Sequence, residues 1–157
     1  MTWHTYFLNL LPAIAAKSKD PNTKIGCVIV GPEHEIRSTG YNSFPRGIRD
    51  DVEERSLRPA KYQWIEHAER NAICNAARSG TATRGCIAYI SLMPCMDCAR
   101  ALIQAGIHLV VFDLDRQTSY QGANWYEQWK SANLMLAEAS VRVIGYSLSN
   151  EEPVSVN

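Results

Sequence analysis

Residues 86–112 read CIAYISLMPCMDCARALIQAGIHLVVF. Cys86 to Leu92 is a short apolar run with the length of a buried strand. Cys95 to Ala105 carries apolar residues at helical spacing, and Gly106 supplies the stop. Ile107 to Phe112 is again a short β-rich run. Strand, helix and strand in that order describe a crossover between parallel strands, which is right-handed.

Upstream of this unit, Ala60 to Arg78 is predicted as one helix that ends at Ser79-Gly80. Before it, Tyr41 to about Pro59 is a long polar loop, a length that in a compact domain points to function. Ile25 to Val30 and Glu35 to Gly40 flank a Gly31-Pro32 turn and form a hairpin. An opening amphipathic helix over residues 3–18 presents Trp3, Phe7, Leu8, Leu11, Ile14 and Ala15, and stops near Asp20-Pro21-Asn22. Downstream, Trp125 to Ala139 is the last helix and Val141 to Ile144 the last strand. Residues 1–145 are expected to form a single α/β domain with a mixed sheet covered by helices. Residues 146–157 are expected to be a disordered tail.

A chain of 157 residues with 46% hydrophobic content suits one core, hence one principal site. Its 16 basic and 16 acidic side chains cancel, so no global field draws it to a polynucleotide or an anionic membrane. The N-terminal segment has no basic leader, and no apolar run approaches about 18 residues. A soluble, cytoplasmic protein is expected. Five cysteines, two of them in a Cys-x-x-Cys pair, point to metal or redox chemistry before a disulfide framework.

Two segments carry the chemistry: His67-Ala68-Glu69 and Pro94-Cys95-Met96-Asp97-Cys98, each at the head of a helix. Cys95 and Cys98, three apart, share one side of their helix, and the free amide groups of a first turn favour thiolate over thiol. With His67 they make three metal ligands, and a tetrahedral zinc ion so held keeps its fourth position for water. Residues two apart diverge on a regular helix, so His67 must sit at the very start for Glu69 to approach that water without ligating. Glu69 is therefore the candidate general acid and base.

The two motifs together resemble the H-x-E and P-C-x-x-C signature of zinc-dependent deaminases. The stretches DPNTKIGCVIV, STGYNSFPRG, HAERNAI and PCMDCARALIQAGI, followed by LVVF, are similar to the deoxycytidylate deaminase family from about Asp20 to Phe112. The resemblance implies a cytidine-deaminase-like three-layer αβα sandwich around a five-stranded mixed sheet. It also implies a zinc cofactor, conversion of dCMP to dUMP and ammonia, and a homo-oligomer, a hexamer by that resemblance. In such enzymes the asparagine of the GYN motif, here Asn42, contacts the sugar, and the backbone at the centre of the HAE motif, here Ala68, contacts the base. The chain departs from the family at Ser43, where glycine is common, at Ser91, where threonine precedes the Pro-Cys, and throughout DLDRQTSYQGANWYEQW after Phe112.

Other residues have plainer readings. Cys27, Cys74 and Cys86 lie in apolar patterns and are expected to be buried, inert thiols. His4, His34 and His108 have no partner at ligand spacing, and surface or capping roles suit them. Arg46 and Arg49 have the guanidinium fork that clamps phosphate, although solvation accounts for them as simply. Trp125, Tyr126 and Trp129 fit core or subunit packing better than stacking on a base, whereas Tyr120, in a loop, is a substrate-binding candidate. Two further functions stand beside dCMP deamination. One is a zinc deaminase of another free amino-heterocycle or of RNA adenosine, with neutral charge counting against RNA. The other is a structural zinc module, which needs Cys74 or Cys86 as a fourth ligand.

Overall fold

A computed structural model describes residues 1–120 and 125–157. The helices are α1 (Trp3–Ala15), α2 (Lys61–Trp64), α3 (Ala68–Ser79), α4 (Met96–Gln104), α5 (Leu114–Ser119) and α6 (Tyr126–Glu138). The strands are β1 (Gly26–Val30), β2 (Ile36–Tyr41), β3 (Ile87–Ile90), β4 (Leu109–Asp113), β5 (Arg142–Ser147) and β6 (Glu152–Ser155). They form one sheet in the order β2-β1-β3-β4-β5-β6. β3, β4 and β5 run parallel, and the other neighbours pair antiparallel, so the sheet is mixed as expected.

The strand alternation builds two cores. Cys27 and Ile29 of β1, Ala88 and Ile90 of β3 and Val110 of β4 face one side, where they meet Ala72 of α3, Leu102 of α4 and Leu136 of α6. Val28, Val30, Tyr89 and Val111 face the other, where α1 covers them with Phe7, Leu8 and Leu11. A strand buried on both faces reads as a continuous apolar run. That is why GCVIV, with all five residues buried, was legible.

Three expectations are corrected. The sheet has six strands, not five. The sixth comes from the supposed disordered tail: residues 146–157 complete β5 and supply β6, which pairs antiparallel along Ile144 to Ser147. All four side chains of β6 are exposed, so nothing in its composition shows the backbone ladder that holds it. Finally, the helix expected over Ala60 to Arg78 is two helices. Ile65 leaves α2 with extended backbone, and Glu66 and Ser43 exchange two backbone hydrogen bonds of 2.8 and 3.0 Å. The amide and carbonyl that the helix would have satisfied find partners in that bridge.

β2 approaches α3 closely at Gly40. A Cβ there would lie 2.3 Å from the Ala68 carbonyl oxygen and 2.4 Å from the Ala72 amide nitrogen, both rigid backbone. Gly40→Ala is therefore expected to push the head of α3 off the sheet and destabilise the protein by about 1–3 kcal/mol. A lowered urea midpoint at unchanged slope checks this, and an unchanged midpoint would refute it.

Candidate metal centre and active site

His67 is the N-cap of α3, with φ −74° and ψ 154°, placed there by the break after α2. Cys95 is the N-cap of α4, and Cys98 lies one turn in, completely buried. Arg70 of α3 reaches Asp97 of α4 at 3.4 Å while also pairing with Glu66, which ties the two helix heads together. The Nδ1 of His67 is 3.4 Å from the sulfur of Cys95 and 3.5 Å from that of Cys98. All three donor atoms lie within 4.8 Å of one another.

A tetrahedral zinc ion with ordinary Zn–N and Zn–S bonds sets its nitrogen and sulfur ligands about 3.6 Å apart, so the cluster fits. The electrostatics fit as well. Cys95 is lowered to about 4, first by a hydrogen bond from the Cys98 thiol, then against the opposition of burial by one from His67. Cys98 in turn is pushed up by its neighbour's sulfur and by burial. Two adjacent buried sulfurs hold one proton between them, and a divalent cation in their midst allows both to be thiolates.

Glu69, in the first turn of α3, is 4% exposed and lines the cavity beside this cluster. Burial pushes its carboxyl above the usual range, opposed by the nearby His67. The cavity, open to solvent, is also lined by Ala68, Asn42 and Tyr120. Asn42 is buried, accepting from the Ile25 amide at 2.8 Å and donating to the Thr23 carbonyl at 2.8 Å. Its side chain thus braces the chain entering β1 as well as facing the cavity.

Residues 1–114 match the family described as the cytidine and deoxycytidylate deaminase zinc-binding region. The chain belongs to that family. Zinc is accordingly its cofactor, and the donor set described above is the one it presents. Among relatives of the deaminase family, a human protein named deoxycytidylate deaminase is 41% identical over 122 residues, covering 74% of this chain and 67% of that protein. A deaminase encoded in the luxG 3′ region of Aliivibrio fischeri is 34% identical over 143 residues, covering 90% of this chain and 91% of that one. The crystal structure of dCMP deaminase from cyanophage S-TIM5 in complex with dCMP and dUMP shares the fold, with a TM-score of 0.70 at 22% identity. That alignment covers 89% of this chain and 93% of the phage enzyme.

Several sequence readings change within this deaminase fold. Trp129 packs against the core as expected and also lines the cavity, Trp125 lines the cavity where core or subunit packing was expected, and Tyr126, 65% exposed, turns outward. The Trp125 ring lies 6.2 Å from His67 and 6.4 Å from Tyr62, and Trp129 packs against Tyr120 at 5.9 Å. Helical spacing alone does not distinguish a face turned to a core from one turned to a cavity. Residues 121–124 between these aromatics lie outside the described residues. Arg46 and Arg49 do not line the cavity; they are exposed and engage Asn75 and Asp51. Cys27 and Cys86 are buried as expected, but Cys74 is exposed on the outer side of α3. Neither Cys74 nor Cys86 joins the metal cluster, so the structural module has no fourth ligand among the described residues. His4 meets the Tyr89 hydroxyl at 3.0 Å, His34 stacks on Trp3, and His108 lies 3.0 Å from the Cys86 carbonyl; none approaches the centre.

The sequence reading missed an ion pair in the cavity wall. Lys61 and Asp20, 6% and 5% exposed, meet at 2.8 and 3.0 Å, and the ammonium also reaches Asn22 at 3.4 Å. A lysine in a polar-looking helical stretch carries no sign of burial, because its partner lies 41 residues away.

Purified protein is expected to contain about one zinc per chain, and Cys95→Ala or Cys98→Ala to lose it. Full zinc occupancy in both variants by elemental analysis would overturn the ligand set. Lys61→Met is expected to cost about 3–5 kcal/mol, because it leaves Asp20 buried without its counter-charge. Chemical denaturation measures this, and a Lys61→Met, Asp20→Leu double variant is expected to recover much of the loss.

Proposed function

We propose that this chain converts dCMP to dUMP and ammonia, with Glu69 moving the protons and His67, Cys95 and Cys98 holding the zinc. One observation carries the reaction class: a buried carboxylate faces the cavity beside a three-donor cluster that leaves a zinc coordination position free for water. The choice of nucleotide rests on the human relative, which bears the name deoxycytidylate deaminase at 41% identity.

Zinc, when bound, supplies the Lewis acidity that makes water a nucleophile near neutral pH. Glu69 accepts a proton from the attacking water as its oxygen bonds to the amine-bearing ring carbon. It passes that proton to the ring nitrogen, then takes the second from the new hydroxyl on the ring carbon as the carbonyl forms, and gives it to the departing ammonia as the carbon–nitrogen bond breaks. A carboxyl raised by burial suits both halves of this cycle, since near neutrality it takes up and holds a proton more readily than an exposed carboxylate and can still pass it on. Ala68 opens α3, where the first amides have no partner within the helix, and in this reading its amide donates to the base. Asn42 contacts the sugar through the acceptor capacity left on its side-chain oxygen, and Tyr120 packs against the substrate from the opposite wall.

The aromatic lining made by Tyr62, Tyr120, Trp125 and Trp129 favours a second reading, a free amino-heterocycle other than dCMP. A screen of cytosine and adenine bases, nucleosides and nucleotides for ammonia release separates the two. We read the protein as a cytoplasmic homo-oligomer, a hexamer by family resemblance. Tyr126 and Leu134, both more than 60% exposed on α6, support an interface there. No helix among the described residues is long and apolar enough to cross a membrane.

Glu69→Gln keeps the shape of the side chain and removes the base. It is expected to lower the rate of ammonia release by about 10² to 10⁴ while zinc content stays at the wild-type level. Loss of metal together with activity would make Glu69 a ligand or a fold residue, and unchanged activity would remove it from the mechanism.

A further inference from the structure

The geometry points to Arg58 as the group that recognises the phosphate of the substrate, an inference that rests on the reading of a nucleoside monophosphate above. Arg58 is exposed and lines the cavity, and it makes no hydrogen bond or ion pair among the described residues. Among the described residues, the one other lysine or arginine of the lining is engaged, and so are several arginines outside it. Lys61, also in the wall, is neutralised by Asp20 and has Asn22 as a further acceptor. Arg55 lies over the Trp64 ring at 4.0 Å and donates to the Arg49 carbonyl. Arg46 and Arg49, the two arginines whose loop position suggested a phosphate role, are held by Asn75 and Asp51. Arg70 spans Glu66 and Asp97, and Arg116 donates to the Lys24 carbonyl. Residues 121–124 are Gln-Gly-Ala-Asn and bring no positive charge.

The cavity is otherwise poorly suited to a dianion. Its wall is largely aromatic and aliphatic, and Asp20 and Glu69 are both carboxylates. A phosphate monoester bound there needs at least one cation whose donors are free, and a guanidinium offers them in a fork that matches two phosphate oxygens. Arg58 is the side chain in the lining that meets this requirement. Exposure keeps it hydrated in the free protein, so binding does not have to break an existing ion pair. The role assigned is specificity: Arg58 contributes to holding the nucleotide and takes no part in the chemistry at the ring.

Calorimetric titration with dUMP and with deoxyuridine isolates the contribution of the phosphate without requiring turnover. Wild-type protein is expected to bind dUMP about 10- to 100-fold more tightly than deoxyuridine, the range for a charge-assisted contact. Arg58→Gln is expected to lose most of that preference with its affinity for deoxyuridine unchanged, and Arg58→Lys to keep part of it. Arg49→Gln, which removes a charge engaged outside the cavity, is expected to keep all of it. Equal wild-type affinities, or an undiminished preference in Arg58→Gln, would overturn the assignment. So would a parallel loss of both ligands, which marks a structural role. Failure of the dCMP reading itself looks different: wild-type protein would release no ammonia from dCMP, whatever the binding ratio.

Discussion

The two hydrogen bonds between the backbones of Ser43 and Glu66 interrupt a helix that would otherwise continue from Lys61 to Ser79, and the site depends on that interruption. A residue in the middle of a helix points its side chain along a face shared with its neighbours three and four away. His67, released from the helix as an N-cap, points instead toward the start of α4. Glu69, two residues on, falls in the first turn and faces the same cavity. Had α2 and α3 been continuous, the imidazole and the carboxylate would diverge by roughly 200° around the axis at 3.6 residues per turn.

The second constraint is that both helix heads carry free amide groups toward one place. α3 and α4 begin beside each other, and Arg70 bridging Glu66 and Asp97 holds them in register. Two positive dipole ends and a histidine favour anionic sulfur, which is the form that binds metal. Cys27 shows the contrast. Fully buried in the sheet with Glu69 as its charged neighbour, its thiol is raised well above the ordinary range and stays protonated.

The cavity divides into two parts with different origins in the chain. The metal centre and Glu69 come from within the segment that matches the deaminase family, residues 1–114. Tyr120, Trp125 and Trp129 come from beyond it and form the opposing wall. The metal centre and its carboxylate thus lie within the stretch that the family model covers, and part of the aromatic wall lies beyond it. The buried Asp20 and Lys61 pair joins the loop before β1 to α2 and closes the wall between them.

The sequence by itself determined the elements whose signal is local. GCVIV, the strand–helix–strand unit of residues 86–112 and the opening helix were legible because apolar periodicity is read along a few turns or pleats. So were His67, Glu69, Cys95 and Cys98, since their spacing within each motif already constrains which side chains can meet. Tertiary structure alone decided the rest. β6 exists because β5 offers an open edge, not because EPVS has a strand pattern. Whether Trp125 and Trp129 face a core or a cavity, and whether Lys61 or Arg46 is solvated or paired, depends on partners tens of residues away. Those pairings are fixed by how helices settle on a sheet, and no periodicity within either segment records them.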